Sequence, residues 1–442
     1  MSQPTPRLLL LSLALLLALA CARTVPVDPS TRLPADAKAA VAFPPLPALK
    51  QALFELCYNV PGLDGVADLL HFRFGLDLEA DSEGARFGVA DAVPLAVFLR
   101  GPFWVLAVPL ADPERFGAYL DERLVGNGFD RAGPGAWTQG KKAVVARVEG
   151  GLAWIARGQA DGLDYLRGEL DKAAAGPFGP PLAVPADATV ALRGRWFDLM
   201  SALDPLAAFG DVPLAVRGTV YGFGDVEATA RVGRDGVKLD VRLKGGGNAG
   251  MVRTLAGGGA PRWAEATREA GWSPVVRLAA HVSPALIEPW LPADLKGQWD
   301  GSVAVAVGIP KSPAKLVKAL LNDPSRFPWS ELPWVVVAGR TPHEGLEALL
   351  GPVLPVPYRY GWAADTLTVR SGADGRGETP REPGPVPPGR LGVRASFRAL
   401  YEALRETDLF PYALKLLSGP RELTLDLGGE GDDLALTLEL TL

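Results

Sequence analysis

The last stretch of the chain, Glu422 to Leu442, alternates with a period of two. Leu434, Leu436, Leu438, Leu440 and Leu442 fall on one side, and Ala435, Thr437, Glu439 and Thr441 on the other. Alternate residues share a face in a strand and not in a helix, so this pattern predicts extended backbone with one apolar and one wet face. Gly428 to Asp433 supplies the turn of a hairpin. Thr219 to Leu243 alternates in the same way around Arg234-Asp235-Gly236, a second turn signal. A chain with two such hairpins must build antiparallel sheet.

Strand-then-helix units recur around these hairpins. Pro34-Ala35-Asp36-Ala37 precedes an apolar run to Phe43, then a helical pattern through Leu49, Leu53 and Leu56. Pro185-Ala186-Asp187-Ala188 precedes Thr189 to Leu192, then Phe197, Met200 and Leu203 at helical spacing. The same order returns at 275–291 and 391–404. Phe103 to Pro109 reads as a strand. Asp112-Pro113 then opens a helix through Phe116, Leu120 and Leu124, because Asp caps and Pro fits the first helical turn. Trp334 to Ala338, followed by Pro342 to Leu350, repeats that order. The expected fold is α+β, with two similar halves of strand-helix units packed on long antiparallel hairpins. The halves span 35–250 and 271–442, with a Gly-rich flexible linker at 251–270 and a Pro/Gly-rich loop from Ser371 to Gly389.

Composition narrows the function classes. Apolar residues make up 48% of the 442 residues and charged ones 21%, enough to bury cores. The net charge is −5 with no basic stripe, which argues against a nucleic-acid partner. Three histidines (His71, His281 and His343) and two cysteines (Cys21 and Cys57) leave little material for metal or thiol chemistry.

The N-terminus carries an address. Arg7 and the free amine precede Leu8 to Ala20, a run in which Ser12 is the one polar residue. That run is too short for a membrane-spanning helix, which needs about 20 residues, and it fits a secretory signal over 1–20. The run ends Ala18-Leu19-Ala20-Cys21. A cysteine after a small residue at this point resembles the bacterial lipoprotein signal. The resemblance implies lipidation of Cys21, a membrane anchor through fatty chains such as palmitate, and a mature chain that starts at Cys21. Ala22 in place of the Asp retention signal implies the outer membrane, facing the periplasm. Ala18-Leu19-Ala20 is also an ordinary cleavage site, after which Cys21 would be free to pair with Cys57. Residues 21–34 hold three prolines and read as an extended tether. The body of the chain, 35–442, resembles an uncharacterised family of exported proteins with repeated strand-helix units, which implies no activity.

Motifs with chemical potential have simpler structural explanations. Ser312-Pro-Ala-Lys315 matches the S-x-x-K of serine β-lactamases, but the partner motifs are missing and Ser312 with Pro313 reads as a helix start. Gly245 to Gly250 matches G-x-G-x-x-G but follows a hairpin strand, so it reads as a linker and not a dinucleotide site. Asp77, Glu79, Asp81 and Glu83 concentrate carboxylates, with Gly84 at the sixth position of a calcium-type loop. Ala90 stands where the bidentate Glu is needed, so at most a weak cation site is expected. The histidines read as structural. Trp290, Trp299, Trp329 and Trp334 cluster in the second half and read as core aromatics before a sugar platform.

The sequence specifies no catalytic activity and no cofactor. It reads as a lipid-anchored envelope protein that binds or scaffolds, with an envelope protein or a lipid as partner. A carrier of a lipid or other hydrophobic ligand is the alternative, since strands with Leu on one face can line a groove. An envelope-polymer hydrolase is a further alternative. It would need paired carboxylates, and Asp225, Glu227, Asp300 and Glu331 are scattered.

Overall fold

The computed structural model describes residues 26–60, 84–203, 221–256, 263–281, 300–311, 331–339, 358–363, 366–373, 391–405 and 418–442, with a few single positions between them. Of the described residues, 29% are helical and 45% lie in strands, in an α+β fold whose strand pairs are antiparallel. Contacts group the chain into two compact units, 1–51 with 69–194, and 52–68 with 195–442. The hairpin at 225–244, read from sequence as part of the first half, lies in the second unit.

The first unit carries strands β1 (Ala39–Phe43), β2 (Leu95–Arg100), β3 (Phe103–Pro109), β4 (Asp130–Gly133), β5 (Ala136–Gln139), β6 (Lys142–Glu149), β7 (Leu152–Gln159) and β8 (Val190–Arg195). Their pairings give the order β8-β1-β2-β3-β7-β6-β5-β4. Helices in the same stretch of chain are α1 (Leu46–Asn59), α2 (Gly84–Phe87), α3 (Pro113–Gly126) and α4 (Leu163–Ala175). One cross-strand row runs Ala191, Ala42, Ala96, Ala107, Trp154. Four alanines in register make a shallow trough, and the Trp154 indole fills the space beside it. Leu166, Leu170 and Ala173 of α4 close over the same cluster. Phe98 is fully buried there and meets Trp154 edge to face, ring centroids 5.8 Å apart.

The opposite face of β3 and β7 is covered as well. Val108 and Ala153 pack with Phe87 and Phe116 of α2 and α3. Burial on both faces explains why Leu95–Arg100 and Phe103–Pro109 read as unbroken apolar runs and not as alternation. Helix α3 starts as expected: Asp112 accepts from the Arg115 N–H, with Pro113 in the first turn. Farther along α3, Asp121 accepts from Arg131 Nε at 2.7 Å and from Trp137 Nε1 at 3.0 Å, which ties the helix to the β4–β5 hairpin.

The reading of 21–34 as an extended tether is corrected for its second half. Asp28 caps a short 3-10 turn, Pro29–Thr31, and Leu33 is 2% exposed within the core. Backbone bonds from Gly179 to the Leu33 carbonyl and from Ala35 to the Pro177 carbonyl hold this stretch against the chain before β8. Proline rigidity here presets a bound path, and the apolar Leu33 side chain gives it a reason to dock.

The second unit carries β9 (Asp225–Gly233), β10 (Gly236–Lys244), β11 (Pro274–His281), β12 (Ser302–Gly308), β13 (Trp334–Ala338), β14 (Tyr358–Ala363), β15 (Thr366–Ser371), β16 (Leu391–Ser396), β17 (Glu422–Glu430) and β18 (Asp433–Thr441). The pairing order is β9-β10-β18-β17-β16-β11-β12-β13-β15-β14. Its helices are α5 (Trp196–Leu203), α6 (Ala249–Ala256), α7 (Trp263–Ala270) and α8 (Phe397–Leu404). Under α7 the sheet again presents alanine, at Ala279, Ala304 and Ala306. Both hairpins form around the turns the alternation indicated, but the first starts at Asp225, since Tyr221, inside the stretch read as alternating, is helical. The second turns more tightly than expected, with Gly431 and Asp432 between paired Glu430 and Asp433.

The described parts of the stretch read as a flexible linker, 246–256 and 263–270, are helical. Gly246–Asn248 is a 3-10 turn that leads directly into α6. Gly246 has φ +50°, and a Cβ there would come within 2.7 Å of the Gly224 nitrogen; at Gly245 it would meet the Asp432 carbonyl oxygen. The glycines permit close backbone approach, which a composition-based linker reading misses.

Two outcomes follow. Phe98→Ala should lower stability by about 3–5 kcal/mol in denaturant titration, the range for emptying a fully buried aromatic site. The Asp121 carboxyl is lowered from 3.8 to about 2 by its hydrogen bonds from Arg131 and then Trp137. Its anchoring of the hairpin is therefore present at neutral pH and lost as pH falls through that window. The Trp137 indole N–H resonance should shift between pH 3.8 and about 2, and Asp121→Asn should remove that titration.

Candidate functional site

The residues singled out from sequence do not assemble into a catalytic centre among the described residues. Cys21 lies outside them, as do Asp77, Glu79, Asp81, Glu83, His343, Ser312, Lys315, Trp290, Trp299 and Trp329. Gly84, the sixth position of the acidic loop, opens α2, and the Asp91 carboxylate sits against its Cα. Among the described residues no group of three or more His, Cys, Asp or Glu is placed to hold a metal ion. Asp225 pairs with Lys244 at 3.7 Å, and Asp300 accepts from the Ser302 amide and hydroxyl. Each is accounted for within its own turn or strand pair. Trp334 is buried with Leu367 and Val369 as a core aromatic. His71 is exposed and His281 half-buried at the end of β11. Cys57 is buried, and burial pushes its thiol pKa up, which makes it a poor nucleophile.

The structure forms a cleft in the first unit that sequence reasoning had not marked. Its volume is ≈ 750 Å³, within the range of about 300–1,000 Å³ typical of small-molecule sites. The start of β3 supplies Phe103 and Trp104, the end of β7 supplies Arg157 and Gly158, and the first turn of α4 supplies Tyr165 and Leu166. The Gly101-Pro102 turn joins β2 to β3 with Arg100 opposite Phe103, and Gly101 takes φ +55°, as such two-residue turns require. This turn aims Phe103 toward α4, where it meets Tyr165 edge to face at 5.8 Å. Tyr165 is 57% exposed, an unusual amount of open aromatic surface. Gly158 keeps the wall thin, since a Cβ there would already press on Leu166 at 3.3 Å.

Helix α4 is held in place one turn beyond the aromatic. Arg100 Nε donates to Glu169 Oε2 at 3.0 Å, and both side chains are largely buried. Arg100 also reaches Asp36 at 2.9 Å, and Lys172 donates to Glu169 at 2.7 Å. The Lys172 hydrogen bond, followed by that of Arg100, holds the Glu169 carboxyl below its ordinary pKa despite burial. Tyr165 lies four residues before Glu169, on the same helix face, so this ion-pair set fixes its position.

Lys142 and Arg157 border the cleft. Both are exposed, and neither side chain forms an ion pair or hydrogen bond among the described residues. No Asp or Glu lines the cleft among them. The site combines aromatic and aliphatic walls with uncompensated positive charge. It can bind an apolar group attached to an acid, and it offers no nucleophile-base pair. The hairpin signal at Gly150-Gly151, between Lys142–Glu149 and Leu152–Gln159, was the available sequence clue to these strands.

No family model matches the chain, and no curated protein does. Among solved structures, crystal form I of TP0453 is similar at TM-score 0.27 and 13% identity, covering 49% of this chain and 79% of that one. Crystal form IV gives 0.29 and 13%, covering 49% and 81%. Crystal form III gives 0.30 and 12%, covering 53% and 88%. Likeness at these scores carries no argument about fold or function.

Proposed function

We propose that this chain is a lipid-anchored protein of the cell envelope, held by Cys21 in the outer membrane and facing the periplasm, and that it works by binding and not by catalysis. The observation that carries the binding role is the cleft between β3, β7 and α4. Its ligand is an amphiphile. An acyl or aryl portion lies on Phe103, Tyr165 and Leu166 on the α4 face of the strands, and an acidic end turns round the strand ends toward Lys142 and Arg157, which alternate onto the other face. Burying apolar ligand surface supplies most of the affinity, at about 25 cal/mol per Å², and the cations supply orientation. The anchor rests on the apolar leader that ends at Cys21. No helix among the described residues is long and apolar enough to cross a membrane.

The two-half organisation belongs to the same reading. Strand β1 lies between β2 and β8, as β11 lies between β12 and β16. Both β8 and β16 run straight into a helix of eight residues. The β9–β10 and β17–β18 hairpins follow in matching places. This repeated order supports a chain built from two related strand-helix segments.

Cells fed labelled palmitate should yield a labelled membrane-bound protein, and Cys21→Ala should yield an unlabelled one in the soluble fraction. Label on the variant, or none on the parent, removes the anchor. A fluorescent long-chain carboxylate should bind the purified chain. Arg157→Gln should weaken it about tenfold, the loss of one charge-assisted contact. Tyr165→Ala should weaken it further, without loss of thermal stability, because Tyr165 is exposed. Unchanged affinity in both variants would remove the cleft from the proposal.

A further inference from the structure

A second hollow lies in the second unit, beside the end of α7, and its chemistry differs from that of the cleft. Its volume is ≈ 420 Å³, and Arg359, Arg370 and Lys311 all line it. No Asp or Glu does so among the described residues. Arg359 of β14 and Arg370 of β15 stand directly opposite each other in register. Opposed residues in an antiparallel pair share a face, with Cβ atoms about 5 Å apart, and like charges in that position repel. Both arginines are exposed, and neither side chain has an ion pair or hydrogen bond among the described residues.

The frame of the hollow is closely packed. Arg370 is also opposite Val335, which is 1% exposed beneath α7, so its backbone is fixed by the core. The Trp272 indole packs against two glycines, Gly308 and Gly375; a Cβ at either would approach it to 2.5 or 2.4 Å. Ser371 is buried, and its hydroxyl accepts from the Trp334 N–H at 3.1 Å, which leaves its own proton for an acceptor. The last turn of α7 ends at the hollow, and its carbonyl end favours a cation. That end carries about half an elementary charge, which does not offset two adjacent guanidinium groups.

We propose that this hollow binds a phosphate group, bridged by Arg359 and Arg370. Guanidinium groups pair with phosphate oxygens through two parallel N–H bonds, and a phosphate between two arginines turns their repulsion into a shared attraction. A phosphate on a soluble metabolite and one in a lipid headgroup present the same chemistry.

The test uses the full chain carrying Cys21→Ala, so that no fatty anchor contributes to vesicle binding. Inorganic phosphate should raise the midpoint of thermal unfolding by about 3 °C over chloride at equal ionic strength. Arg370→Gln and Arg359→Gln should each lose that rise. Without phosphate, each should melt no lower than its parent, since a repulsion has been removed. Flotation with phosphatidylglycerol vesicles is the second arm. Binding there that depends on both arginines assigns the phosphate to a lipid, and a response to inorganic phosphate alone assigns it to a soluble ligand. The proposal is overturned if neither arm responds in the parent, if either response survives in both variants, or if the variants melt lower without phosphate, as loss of a structural contact would require.

Discussion

The architecture depends on small side chains held in register across neighbouring strands. In the first unit, Ala191, Ala42, Ala96 and Ala107 come from four strands, β2 and β3 of one hairpin and β1 and β8 far from them in sequence, and form one row. A methyl group is all that projects at each step, so α4 packs close to the sheet, and the large Trp154 and Phe98 side chains fill what the alanines leave. The second unit uses the same device, with Ala279, Ala304 and Ala306 beneath Ala266 and Ala270 of α7. A one-residue slip in any strand would replace a methyl with the next residue along, Leu95 or Val97 on β2 and Leu106 or Val108 on β3, and would push the helix away. Register therefore follows from packing as much as from hydrogen bonding.

Both proposed sites lie where this packing ends. Helix α3 covers one face of β3 toward its C-terminal end, and α4 covers the other face. The start of β3 projects beyond α3; there Trp104 and Arg157 project from the face that α3 covers farther along, and Phe103 and Gly158 from the other face, toward Tyr165. Beside α7, the sheet continues past the covering helix into β15 and β14, and the residues in line with buried Val335 become Arg370 and Arg359. The core supplies a fixed platform in each case, and the uncovered margin supplies the chemistry. Charges within the platform are instead compensated, as Glu169 is by Arg100 and Lys172.

Much of the local structure was legible. The period-two alternation at 225–244 and 422–441 placed both hairpins, because an apolar face on a strand leaves an unambiguous trace. Asp112-Pro113 placed the start of α3, because the capping geometry needs those two residues in that order. Gly245 to Gly250 misled. Glycine serves chain flexibility and tight backbone contact equally well in composition, and only the proximity of Gly224 and Asp432 shows which applies. Residues 29–34 misled for a related reason, since proline stiffens a free segment and a docked one alike.

The sequence by itself determined the α+β class and the antiparallel hairpins, because each is written in contiguous residues at a fixed spacing, and it alone carries the apolar leader ending at Cys21 on which the proposed anchor rests. Only the tertiary structure decided where binding chemistry collects. Phe103 is far along the chain from Arg157 and Tyr165, as Lys311 is from Arg359 and Arg370, and nothing in their local context sets them apart. Strand pairing brings each set to one place. The reach of the covering helices decides which residues stay exposed there.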